Sequence, residues 1–199
     1  METMHWRRYA AECFGTGVLT YAVLGSLHQA SPTPFIAGLT LMFLVYAIGG
    51  ISGAHVNPAV TIGLWSIQKI KGMEVALYIA AQLIGAVIAQ FLFLKQIGAP
   101  IVTAAESFPV VIAEGVGTLL FVFGVSAVAS DKVHKAVSGF VVGTSLLLGI
   151  LVASLGSNGV LNPAVAIGIR SLSFGYILGP IVGAVLGAQL FQWMAKSEA

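Results

Sequence analysis

The sequence predicts an all-α membrane protein in which six transmembrane helices and two re-entrant half-helices form an inverted repeat. Three observations predict it. Hydrophobic residues make up 58% of the chain and charged residues only 8%, where a soluble domain is about 25% charged. Six apolar segments are long enough to cross a bilayer. One short motif, Asn-Pro-Ala, occurs twice, at matching places in the two halves of the chain.

A soluble domain of this length has too little interior to hide so much apolar surface, so the first partner is the lipid bilayer. A bilayer-crossing helix needs ~20 mostly apolar residues, which places spans at about 8–28, 34–51, 74–95, 109–129, 134–155 and 175–195. The first follows a short cationic start, Met1 to Arg8, that resembles the opening of a signal peptide. Its apolar stretch, about Tyr9 to Leu27, is long enough to span and lacks a small-residue cleavage pattern, so it is read as a retained helix. Turn residues or charges fill the breaks: Ser31-Pro32-Thr33-Pro34, Lys69 to Gly72, Gly98-Ala99-Pro100, Asp131-Lys132 and Gly156-Ser157-Asn158-Gly159. Two apolar segments remain, about 57–67 and 162–171, each too short to span. Each opens with Asn-Pro, where Asn serves as N-cap and Pro as the first helical residue.

Six spans put both termini on one side. Arg7, Arg8, Lys69, Lys71, Lys132, Lys135 and Lys196 fall there; only Lys95 and Arg170 fall opposite. The positive-inside rule makes the first side cytoplasmic, for a multi-pass protein of the cell (plasma) membrane.

The halves resemble each other beyond the motif. Ala11-Glu12-Cys13-Phe14-Gly15-Thr16 matches Ala113-Glu114-Gly115-Val116-Gly117-Thr118, and Val56-Asn57-Pro58-Ala59-Val60 matches Leu161-Asn162-Pro163-Ala164-Val165. The spacing from Glu to Asn is similar in both, which argues for duplication of a whole unit. Residues 1–199 are read as a single domain, with repeat one at about 8–97 and repeat two at about 109–195. Three spans per unit is odd, so the second unit enters from the opposite side. The half-helices then dip in from opposite faces and meet near the midplane, N-terminus to N-terminus.

Non-helical backbone at that depth is tolerated only where it is buried or lines a water-filled cavity. The stretches Ile51 to Val56 and Gly156 to Leu161 are such backbone, with carbonyls available as acceptors along a pore. Two half-helix N-termini, each carrying roughly +0.5 charge, disfavour a cation between them. The Asn amides can donate to a permeating oxygen. Water or a small neutral solute suits that field; protons and metal ions do not.

Here the sequence resembles the major intrinsic proteins, the aquaporins and their glycerol-conducting relatives. The resemblance rests on Ser52-Gly53-Ala54-His55-Val56-Asn57-Pro58-Ala59-Val60-Thr61, the second Asn162-Pro163-Ala164, the Glu12 and Glu114 motifs and Gly179-Pro180, and it covers nearly the whole chain. It implies a passive aquaporin-like channel, a homotetramer, and pore-lining loops through Gly53, His55 and Asn158. The family's narrowest constriction usually has an aromatic residue and an Arg directly after the second motif. Here that position is Val165, and ungapped counting puts the other filter positions at Ala37, Ile150 and Gly159. Such a filter has no charge, no aromatic and little bulk. It implies passage of neutral solutes larger than water: glycerol, urea, ammonia, hydrogen peroxide, or a neutral metalloid acid, since family members with a similar Arg-to-Val change include bacterial metalloid channels. The alternatives are a strict water channel and, less favoured, a secondary transporter or a non-conducting structural protein.

Glu12 and Glu114 are the acidic residues deep in spans, where a carboxyl is costly and a functional candidate by default. Their matched positions favour a shared structural task, holding the re-entrant loops, over a proton relay; on that reading Glu→Gln preserves fold and transport. His55 titrates near neutral pH and could gate one mouth, but a neutral ring bonded to neighbouring backbone is the favoured reading. Arg170 is read as a cation complementing the C-terminus of the second half-helix. Gln82 and Gln90 are read as interhelical hydrogen-bond donors, and the glycines as close-packing positions. The single Cys13 is read as a packed core thiol. The scattered histidines offer no metal site, no cofactor motif is present, no nucleophile or acid–base pair suggests an enzyme, and no basic stripe suggests nucleic-acid binding.

Overall fold

The computed structural model describes residues 6–98 and 107–196. Ala99 and Pro100 of the third predicted break, and Met1 to His5 of the cationic start, lie outside the described residues. The described chain is helical throughout: α1 (Trp6–His28), α2 (Thr33–Ser52), α3 (Pro58–Ser66), α4 (Gly72–Gln96), α5 (Phe108–Ala129), α6 (Ser138–Ala153), α7 (Pro163–Gly168) and α8 (Gly175–Ala195), with one 3₁₀ turn at Lys135–Val137 before α6. Six of these are long and apolar enough to cross a membrane. Phe14, Phe43, Phe91, Phe140 and Trp193 are largely exposed, a surface that suits lipid and not water.

The predicted spans agree with these helices to within a few residues, and four differences have local causes. α2 runs on through Ile51 and Ser52, which were expected to be irregular. It stops at Gly53, whose φ of 90° and N–H···O bond of 2.9 Å to Gly49 form a left-handed cap. The fifth span begins with the 3₁₀ turn, where the Nδ1 of His134 accepts the Ala136 N–H, and its helix ends at Ala153, short of the expected 155. The second half-helix ends at Gly168, short of the expected 171. Arg170 there adopts φ 61°, a left-handed conformation that no continuing helix allows. Pro58 and Pro163 open α3 and α7 with Asn57 and Asn162 as N-caps.

The pseudo-two-fold relation is visible in the packing. A Cβ on Gly143 of α6 would lie 2.5 Å from the carbonyl oxygen of Gly38 on α2, and one on Gly38 would lie 2.8 Å from that of Gly143. Within the second repeat, Gly117 of α5 and Gly149 of α6 make a similarly close crossing, each added Cβ lying 2.5 Å from the other's carbonyl oxygen. Only backbone fits at these crossings. α1 packs on α4 as α5 packs on α8, and the half-helices cross over: α3 packs on α8, and α7 on α4. Each repeat therefore completes itself against the other.

Gly143→Val tests this packing. Overfilling a close-packed site costs about 1–3 kcal/mol, and against two rigid backbones the loss should sit at the upper end. The variant is expected to lower the Tm of the detergent-solubilised protein. Gly25→Ala, with nothing within 4 Å of the added carbon, is expected to hold or raise it.

Candidate conduction site

The site is built from two loops that cannot bond to themselves. Gly53 to Asn57 and Ser157 to Asn162 leave the helices just where the bundle is deepest. In each loop the two N–H groups just before the motif asparagine are met by one carboxyl. Glu12, fully buried on α1, accepts from Ser52 Oγ at 2.7 Å, His55 N at 3.0 Å, Val56 N at 2.7 Å and Gln82 Nε2 at 2.8 Å. Glu114, fully buried on α5, accepts from Ser157 Oγ at 2.6 Å, Val160 N at 2.9 Å and Leu161 N at 2.7 Å. The structural reading of both acids is thus given partners: Ser52 and Ser157, and Val56 and Leu161, are repeat-matched.

The carbonyl side of the loops is held from the other repeat. Asn57 Oδ1 caps α3 by accepting Ala59 N at 2.8 Å, while its Nδ2 donates to Leu161 O at 2.9 Å. Asn162 Oδ1 caps α7 by accepting Ala164 N at 3.0 Å and Val165 N at 3.3 Å, while its Nδ2 donates to Val56 O at 2.9 Å. Each loop residue just before the motif is therefore gripped twice, at N–H by its own Glu and at C=O by the opposite Asn. That grip holds an unfavourable backbone: Val56 has φ 43° and Leu161 φ 54°, and a left-handed conformation costs a branched or bulky residue roughly 1–2 kcal/mol. One N–H of each Asn amide is committed to this bond, which leaves one, not two, for a solute. Ser52 O is also taken, by Tyr78 Oη at 2.7 Å. The acceptor ladder is therefore confined at most to the carbonyls between these fixed points.

Tyr78 and Tyr176 were not singled out in the sequence. They occupy matching places on α4 and α8, and Tyr176 Oη accepts Asn158 N at 3.2 Å. The only available signal was their equal spacing ahead of Gly85 and Gly183, the close-packing glycines of those helices. The His55 ring bonds a side chain and not the backbone: its Nδ1 lies 3.2 Å from Thr61 Oγ1. Gln82 Nε2 also donates to Thr61 Oγ1 at 3.0 Å, and Gln90 Nε2 to Ile167 O at 3.4 Å, so both make the expected interhelical bonds. Arg170 is exposed beyond the end of α7.

The loops border a lumen. A cavity of about 280 Å³ is lined by Asn57 and Asn162 together with Ala37, Ile150, Gly159, Val165, His55 and Asn158; among the described residues no Asp, Glu, Lys or Arg lines it. A second cavity of about 660 Å³ opens at the end of the bundle that holds the start of α1. Gly53 and His55 line it along with Arg8, Lys69, Glu74 and Asp131. Arg8 and Glu74 are paired there at 3.0 Å. Among the described residues no cluster of His, Cys, Asp or Glu could hold a metal.

Residues 1–191 match the family described as major intrinsic protein. The chain belongs to the major intrinsic protein family. Members of this family are membrane channels and not enzymes, and this one is a multi-pass membrane channel. It is 34% identical to Aquaporin AqpM of Methanothermobacter marburgensis over 96% of this chain and 98% of that protein. It is also 34% identical to Aquaporin NIP1-1 of Zea mays, over 92% of this chain and 72% of that one. Among solved structures it resembles the aquaglyceroporin from Plasmodium falciparum, with a TM-score of 0.71 and 22% identity over 94% and 95% of the two chains, which supports the shared fold.

Two substitutions test how this major intrinsic protein holds its loops. Asn57→Asp keeps the helix cap, since Asp caps as well as Asn, but turns a donor against Leu161 O into an acceptor; it is expected to lower Tm and abolish water flux in proteoliposomes. Glu12→Gln is now expected to do harm that the sequence alone did not foresee. Ser52 Oγ, His55 N, Val56 N and Gln82 Nε2 all donate to the Glu12 carboxyl, and an amide nitrogen would face a donor. One stranded buried donor costs about 1–3 kcal/mol, which thermal unfolding in detergent would register as a lower Tm than Glu12→Asp.

Proposed function

We propose that this channel passes small neutral solutes as well as water, through a wide filter formed by Ala37, Ile150, Gly159 and Val165. The observation that carries the reading is the lining of the 280 Å³ cavity: those four residues border it together with both motif asparagines, and among the described residues no charged side chain does. A solute there meets methyl and methylene groups, the remaining Asn N–H donors and loop carbonyls. Charged species lose hydration without replacement, and the two half-helix N-termini repel cations without any filter Arg. Glycerol, urea, ammonia, hydrogen peroxide and neutral metalloid acids fit this chemistry; a strict water channel is the alternative. We further propose that the protein acts as a homotetramer in the plasma membrane with both termini cytoplasmic, so that the larger cavity faces the cell interior, in accord with the basic residues around it.

Stopped-flow light scattering on proteoliposomes tests the filter. Wild type is expected to admit glycerol, urea and arsenous acid well above bare liposomes. Val165→Arg is expected to cut glycerol entry by at least about tenfold, the effect of roughly 1.4 kcal/mol of added barrier, with water reduced less. Fast water flux with all three solutes excluded would make it a strict water channel.

A further inference from the structure

If the outer filter is wide, size selection has to be exerted elsewhere or be absent. The lumen shows where it can be. Among the described residues, three side chains border both cavities: Leu41 of α2, His55 of the first loop and Phe121 of α5. They come from three elements and mark the place where the 280 Å³ and 660 Å³ spaces abut. Leu41 and Phe121 are each 1% exposed, wedged among neighbours that fix their rotamers. His55 is held by its ring bond to Thr61 and lies beside Tyr78, with ring centroids 5.0 Å apart.

The pseudo-two-fold relation supplies an internal reference. The repeat partners of Leu41, His55 and Phe121 are Leu146, Val160 and Leu19. The pairing follows from the reciprocal contacts of Gly38 with Gly143, from the matched Val56 and Leu161 positions and, for Leu19 and Phe121, from their equal spacing after Glu12 and Glu114. All three partners line the smaller cavity and none lines the larger one. On that side the same three places carry only aliphatic groups and border one cavity alone. On the other side two of the three places carry rings, and all three border both cavities. The duplicated scaffold is the same; the ring side chains are what differ.

We propose that Phe121, with Leu41 and His55, forms a second, inner constriction that sets the largest solute this channel passes. The proposal rests on the wide outer filter described above. An apolar ring of this kind resists a polar solute in two ways: it has no donors or acceptors except the imidazole, and a rigid aromatic edge yields less than an aliphatic one. The imidazole gives one polar contact on an otherwise apolar girdle, so a linear polyol can shed water on one face at a time. The permeant class is therefore small, uncharged and hydroxylated, with a size limit set by how much of the solute must sit in the girdle at once.

The test uses the whole channel in proteoliposomes and a graded polyol series: glycerol, erythritol and xylitol. Phe121→Leu and His55→Val each install the residue that the other repeat already carries, so both are compatible with the scaffold. Either is expected to raise entry of the first excluded polyol by at least about tenfold, and the pair together by more. The matching truncation on the outer side, Leu19→Ala, is expected to move the cut-off less. Unchanged polyol entry in both inner variants, with water flux retained, would overturn the proposal; so would a larger shift in Leu19→Ala. The two readings fail separately. If wild type excludes even glycerol but Phe121→Leu admits it, the inner constriction stands and the wild-type permeant has been misassigned. If wild type admits the whole series, no constriction limits size and this proposal is lost while the wide filter remains.

Discussion

Backbone that leaves a helix inside a bilayer has to find its hydrogen bonds within the protein, because lipid offers none. The rest of this structure follows from that constraint. Two loops enter the centre of the bundle, and their N–H groups converge on two buried carboxyls, Glu12 and Glu114. Their last carbonyls are met by Asn162 and Asn57 from across the pseudo-two-fold. The same asparagines cap the half-helices, so helix start, loop conformation and the junction between repeats share one pair of side chains. With those groups satisfied by protein, the remaining loop polarity can be turned toward a lumen.

Duplication fixed the scaffold but left room for difference between its halves. Glu12 has a fourth donor, Gln82 of α4, where the matching place on α8 is Pro180. α3 covers Pro58–Ser66, while α7 is only Pro163–Gly168. The loop positions are more alike: Ala54 and Gly159 both take left-handed φ values, 50° and 63°, as do Val56 and Leu161. Symmetry is therefore strictest where the backbone is hardest to satisfy, and relaxes where only side-chain volume is at stake.

Much of this was legible in the sequence. Span lengths, the two Asn-Pro starts and the matched Glu positions are local signals, and they gave six crossings, two half-helices and their mutual approach. What was not legible depends on distant partners. Nothing in Val56 or Leu161 announces a left-handed backbone; branched and bulky residues argue against it, and only the two-point grip of Glu and Asn on each makes it tolerable. For the same reason Glu→Gln looked harmless until the donors around Glu12 were known. Tyr78 and Tyr176 gave no motif, because their hydroxyl partners are backbone groups of another element. The early stop of α7 and the late stop of α2 were missed by a few residues each, since Arg170 and Gly53 end helices through φ values that their neighbours impose. The candidate filter positions came from counting along the chain, and they border one cavity; the meeting of Leu41, His55 and Phe121 where two cavities abut had no sequence signature, because three separate elements supply it.

The bond from Asn162 Nδ2 to Val56 O joins residues 106 positions apart. During synthesis the first half of the chain is made long before its partner exists. Until the second repeat arrives, Val56 has an unmet carbonyl and a conformation that nothing holds on that side. The first half-helix therefore lacks the bond that completes its entry until the second repeat is in place, and the centre of the channel is finished by the two halves together.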